Sequence, residues 1–142
     1  MSPRRRRKNP AHCPCGSRRV YTDCCAPYHR GEAVPETPQT LVRSRYCAYA
    51  RQLVDYIIDT TDPDGAAWQE PIDQWRKDIA NFGQKMQFSG VEILSAEVDE
   101  NRATVTFRAT LRRRRRDASF TEVSQFVRRA GRWLYSEGQP QR

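Results

Sequence analysis

Four of the chain's five cysteines fall within thirteen positions: Cys13-Pro-Cys15, eight residues, then Cys24-Cys25. Thiolates are soft ligands, and four of them at roughly 2.3 Å complete the tetrahedral shell of a zinc ion. The spacing permits that arrangement. The Pro-Cys-Gly-Ser turn directs two sulfurs to one side of a tight loop, and the eight-residue return brings the second pair to the other. A shell closed by sulfur leaves no position for water or substrate, so one structural zinc is expected on Cys13, Cys15, Cys24 and Cys25. Four thiolates around one zinc carry a net charge of −2, which Arg18 and Arg19 offset in part. His12 and His29 flank the cluster, and either is an alternative to one cysteine. The adjacent Cys24-Cys25 pair disfavours disulfides, and a redox pair more usually takes the form Cys-x-x-Cys. The fifth cysteine, Cys47, falls among aromatic residues in a helical stretch and reads as a small buried hydrophobe.

A second chemical signal is charge. The net charge is +8, and Arg4 to Lys8 and Arg112 to Arg116 each contribute five positives. Removing these ten charges from +8 leaves −2, so the body is close to neutral and the cationic character sits in two patches. Such patches suit phosphates or an acidic protein partner. Arg112, Arg113, Arg114, Arg115 and Arg116 begin where a strand pattern ends, which places them on an exposed strand end and loop. The N-terminal run reads as a solvated arm over residues 1–9. No apolar run approaches the ~20 residues of a bilayer span, and no apolar segment of a signal peptide follows the basic start. A cytoplasmic protein without membrane contact is the expectation, and reduced, metal-binding thiols agree with it.

The elements that position these residues follow from periodicity. Gly31, Pro35 and Pro38 punctuate a linker over 31–37. Thr37-Pro38 reads as N-cap and first helical residue, and Leu41, Val42, Tyr46, Tyr49 and Leu53 recur on one helical face. Asp55-Tyr-Ile-Ile58 continues or restarts that helix to about Thr60. After a turn at Asp62-Pro-Asp-Gly65, a second helix spans Pro71 to Phe82, with Gly83 as its C′ residue. Beyond it the period becomes two. A turn at Glu100-Asn101 sets Val98 opposite Ala103, Ala96 opposite Val105 and Leu94 opposite Phe107. A loop at Ala130-Gly131 sets Arg128 opposite Trp133 and Phe126 opposite Tyr135. Helices followed by an antiparallel meander define an α+β domain with the helices on one face of the sheet.

Two resemblances rest on these residues. Cys13-Pro-Cys-Gly-Ser17, Tyr21 and Cys24-Cys25 resemble the SEC-C motif, the zinc-binding module at the C-terminus of the SecA translocation ATPase. The usual pattern has glycine where this chain has Arg18, and glycine there would ease a turn of positive φ. A module of about twenty residues, here 10–30, buries too little surface to fold without its metal. Arg43-Ser-Arg-Tyr-Cys-Ala-Tyr49, Asp55-Tyr-Ile-Ile58, Ser124-Gln-Phe126 and Gly131-Arg-Trp133 are similar to the YchJ-like family of bacterial proteins. That resemblance implies a SEC-C module joined to a cone-like, nuclear transport factor 2-like domain, here 38–138, followed by a short tail over 139–142. Many relatives have His-Glu where this chain has Thr121-Glu122, and many carry a second SEC-C module that this sequence lacks. Similar folds often dimerise through the outer sheet face, so a homodimer is an expectation of the same kind.

The cone implies a pocket between helices and sheet. Glu122, Ser124, Trp133 and Tyr135 share a sheet face, and Tyr46 or Arg43 approaches from the first helix. In an apolar setting Glu122 would serve as a general base; alternatively it pairs with Arg43 or Arg45 and orients the helix. Tyr46, Trp75 and Trp133 fit core positions. No phosphate loop or nucleophile elbow is present, so no catalytic residue is assigned. The expected role is that of a zinc-binding adaptor contacting a protein, the ribosome or a nucleic acid; the alternative is a small-molecule binder or enzyme using the cone.

Overall fold

The computed structural model describes residues 12–141, so the basic arm and the start of the cysteine module's expected range lie outside the described residues. A 3₁₀ turn at Tyr21–Asp23 and a four-residue helix α1 (Ala26–His29) close the cysteine loop. Helix α2 (Pro38–Ala50) starts where the Thr-Pro pair directs it, with the Thr37 hydroxyl accepting from Thr40 N at 3.1 Å. The chain breaks at Gln52, which has φ 59°, and restarts as α3 (Val54–Asp59).

Helix α4 spans Ile72–Lys85 and buries Trp75, Ile79 and Gly83. Gly83 is therefore not a C′ residue but an interior one. A Cβ there would collide with the carbonyl oxygen of Tyr49, so the missing side chain lets α4 lie directly on α2.

The strands are β1 (Gln87–Asp99), β2 (Arg102–Arg113), β3 (Arg116–Asp117), β4 (Phe120–Arg129) and β5 (Arg132–Gln141). They form one antiparallel sheet in the order β1-β2-β4-β5, with β3 paired to β2. The first hairpin has the expected register at Val98↔Ala103 and Ala96↔Val105. A bulge then puts Ile93, rather than Leu94, opposite Phe107, and leaves Leu94 half exposed. The second hairpin pairs Arg128↔Trp133 and Phe126↔Tyr135, then shifts by a bulge before Gln125. Such bulges bend strands, and three of them supply the curvature of the cone. The segment expected as a tail remains in the sheet to Gln141, because the β4 backbone from Thr121 to Val123 offers it ladder partners.

Helices α2, α3 and α4 enclose Ala48, Ile57, Ile58, Trp75 and Ile79. A second core lies between α2 and the sheet, around Leu41, Val42, Val105, Leu111 and Phe126, and it also contains Cys13, Cys15 and Cys25. The cysteine loop is thus continuous with the cone's own core.

Candidate metal centre and cone cavity

The sulfurs of Cys13, Cys15, Cys24 and Cys25 all lie within 4.8 Å of one another, and three of the four residues are buried. Sulfurs 2.3 Å from a tetrahedral ion stand about 3.8 Å apart, and Cys15 Sγ lies 3.6 Å from Cys24 Sγ. The donor set fits a soft divalent ion. Ser17 Oγ lies 3.1 Å from Cys24 Sγ, where its hydroxyl donates to the thiolate. Arg18 holds φ 68°, the left-handed conformation that glycine would adopt at less cost. Burial raises the Cys24 thiol, whereas hydrogen bonds from Cys15, Cys25 and Cys47 hold Cys13 well below the ordinary thiol range.

Neither histidine belongs to the cluster. His12 is exposed and bridges to Val20. His29 lies 2.8 Å from the Ser44 carbonyl through Nε2 and 2.7 Å from the Tyr21 hydroxyl through Nδ1. A carbonyl only accepts, so Nε2 carries the proton and Nδ1 accepts from Tyr21. Burial lowers the pKa of this imidazole, which fastens α1 to α2 as a neutral group.

Cys47 differs from its sequence reading. It is fully buried in α2, but its Sγ lies 3.6 Å from Cys13 Sγ. The contact to Cys13 and burial raise the Cys47 pKa, so with Cys13 ionised as a metal ligand Cys47 would be the donor between them. Nothing in the local sequence signals this. The two residues are 34 positions apart and meet only because the loop docks on α2. Arg43 belongs to the same junction: its guanidinium donates to Val91 O at 3.3 Å, beside Cys15 O at 3.5 Å. Val91 N donates to Cys15 O at 3.0 Å, which ties the loop to β1.

On the other side of α2 a cavity of about 300 Å³ opens between helices and sheet. Of the six residues expected there, Glu122, Tyr135 and Tyr46 line it. Ser124 lies fully buried behind Glu122, Trp133 is a core residue beneath Arg128, and Arg43 faces the metal centre. Arg45, two residues on, takes the place at the cavity expected of Arg43.

Glu122 Oε2 accepts from Ser124 Oγ at 2.6 Å and from Tyr135 Oη at 3.0 Å. Burial, reinforced by the Glu122 charge, raises the Tyr135 pKa and keeps its phenol a donor. Arg45 does not pair with Glu122. Its Nη1 donates to Ile57 O (3.0 Å), Thr60 Oγ1 (2.8 Å) and Thr61 Oγ1 (3.0 Å), and its guanidinium lies 4.4 Å over the Tyr135 ring. Tyr46 has its pKa pushed up to about 12 by burial; it donates to Thr110 O at 2.8 Å and accepts from Gly90 N at 2.7 Å.

A helix-backed, bulged antiparallel cone with a four-cysteine module at its flank defines a nuclear transport factor 2-like domain joined to a SEC-C motif. Residues 37–138 match the family model described as YchJ, middle NTF2-like domain. A UPF0225 protein of Sodalis glossinidius is 39% identical over 130 residues, 89% of this chain and 81% of its own. The chain belongs to this YchJ-like, UPF0225 family of bacterial proteins. The solution structure of a SEC-C motif containing protein from Rhodopseudomonas palustris is 35% identical, with a TM-score of 0.79 over 93% of this chain and 100% of that one. A SEC-C motif containing protein from Psychrobacter arcticus shares the fold at 24% identity, with a TM-score of 0.72 over 92% of this chain and 83% of its own.

Proposed function

We propose that the chain is a small-molecule-binding protein of the bacterial cytoplasm whose cone is buttressed by one structural zinc. The observation that carries this reading is the cavity itself. Aromatic side chains line it without filling it, and the carboxylate of Glu122 borders the open space. That geometry favours a ligand site over a purely macromolecular adaptor. Zinc is the ion that four sulfurs at this spacing fit best, and it would hold the loop rather than take part in chemistry. Native mass spectrometry of protein purified without added metal or chelator tests the reading. The expected spectrum shows one zinc per chain and an organic adduct that is lost on denaturation. A zinc-loaded chain without adduct, whose tryptophan fluorescence no small-molecule extract of the cell perturbs, would contradict it.

One observation favours a second, compatible role. The arginine run forms the β2–β3 hairpin, with Arg114 (φ 50°) and Arg115 (φ 69°) at the two left-handed turn positions that Asn and Gly usually occupy. Among the described residues none of the five arginines forms an ion pair with a carboxylate. An exposed, uncompensated cationic tip supports contact with nucleic-acid phosphates. Five phosphate contacts to a single strand would give a log–log salt slope of about −3.5. Fluorescence anisotropy with RNA checks it: a slope near zero, or binding unchanged when all five arginines become serine, would rule it out.

A further inference from the structure

The cavity's polar groups also limit what it can bind. Glu122 has spent one oxygen: both Ser124 and Tyr135 donate to Oε2, and Oε1 has no partner among the described residues. Among the described residues no cation lies within ion-pair distance of this carboxylate. Arg45 also lines the cavity; its Nη1 is committed to three oxygens, and its guanidinium carbon lies 4.4 Å over the Tyr135 ring. The pair is fixed from behind by Gly138. A Cβ at that position would collide with both Tyr135 Oη and Glu122 Oε2, so only a bare backbone lets the carboxylate and phenol meet there. A second carboxylate, Asp78, stands at the cavity; it accepts from Gln74 Nε2 at 2.9 Å and has no cationic partner among the described residues. The remaining surface is largely aromatic, including Phe88, Phe107, Phe120 and Phe126. Aromatic faces attract cations and repel anions.

We infer that the cone selects a compact or flat organic cation, an amine, amidine or protonated amino-heterocycle, whose N–H donates to Glu122 Oε1 while its apolar body packs among the phenylalanines. The inference rests on the cavity being a ligand site and adds the chemical class. An anionic ligand of the same shape would face Glu122 across the cavity and lose both the hydrogen bond and the favourable field. Hydrogen bonds to a charged group are stronger than those between neutral groups, so losing the charge of the acceptor should weaken binding roughly tenfold or more.

The test uses three probes of one shape on the intact, zinc-loaded chain: benzamidine, benzamide and benzoate. Binding is read by isothermal titration and by chemical-shift changes of cavity residues. Benzamidine is expected to bind most tightly, benzamide less so and benzoate at least tenfold more weakly than benzamidine. Glu122→Gln, which keeps the size and the acceptor oxygen, should remove most of the preference for benzamidine over benzamide. Comparison of the probes on the unaltered chain needs no variant, so it stands even if the substitution disturbs folding. Benzoate binding as well as benzamidine, with cavity residues shifting, would overturn the cation class and leave the ligand site intact. No shift with any probe at millimolar concentration would sink the ligand site together with its class.

Discussion

Cys47 places a fifth thiol against a four-thiol centre, and its effect is separable from ligation. If Cys13, Cys15, Cys24 and Cys25 complete the shell, Cys47→Ala should retain one metal per chain. It should also lose the metal about tenfold faster to a chromophoric chelator, the scale expected when a partner of a metal ligand is removed. Cys24→Ser should instead lose the metal outright, and equal behaviour of the two variants would dismiss the distinction. Arg18 offers a test of the opposite sign. Its φ of 68° is unfavourable for a side chain, so Arg18→Gly should stabilise the metal-loaded protein by about 0.5–1 kcal/mol in a denaturant melt. At this scale the sequence was readable where chemistry was local. The four cysteines lie in one loop, and their spacing points to the cluster that the structure brings together. Cys47 and Arg45 were not legible, because which face of α2 meets the loop and which meets the cavity depends on how the helix docks. Arg43 and Arg45 are two residues apart on a helix and point in nearly opposite directions, so choosing between them needed the tertiary structure.

Helix α4 and the hairpins show what local pattern can and cannot give. Helix propensity alone makes Gly83→Ala favourable by about 1 kcal/mol. The carbonyl of Tyr49 stands where the new methyl would go, so the substitution should instead destabilise by about 1–3 kcal/mol, read as a lowered thermal midpoint. The α1–α2 junction has a pH signature. The folded pKa of His29 is depressed below its unfolded value of about 6.5, so the unfolded chain takes up the proton first. Stability should therefore hold above pH 6.5 and fall as the pH drops from there toward the lower folded value. His29→Gln, compared in the same metal-loaded state, should show a shallower decline, and identical slopes would contradict the buried neutral imidazole. Both hairpin registers followed from alternation and their two-residue loops. The bulge at Leu94 did not, because an extra residue in one strand leaves the apolar alternation on both sides almost unchanged.

The molecule as a whole is organised by α2, whose two sides serve two sites. Toward the loop it presents Cys47, the Arg43 carbonyl that accepts from Cys25 Sγ at 3.7 Å, and the Ser44 carbonyl held by His29. Toward the cone it presents Val42, Arg45, Tyr46 and Tyr49. Cysteines of the loop and apolar residues of the cone share one core, so on the proposed reading a metal held by the loop would buttress the wall of the cavity. The sequence reads as a module over 10–30, a linker over 31–37 and a cone-like domain, and the contacts that dock the loop on the cone are long-range ones that no local pattern encodes. The direct test is a denaturant titration of the cobalt-substituted protein followed by two probes at once. Sulfur-to-cobalt charge-transfer absorption reports the centre, and tryptophan emission reports the cone, which contains all three tryptophans. One coincident transition in both signals is the predicted result. Loss of the cobalt absorption at lower denaturant, with the tryptophan transition unmoved, would mean that the centre is an appendage and that the cone stands without it.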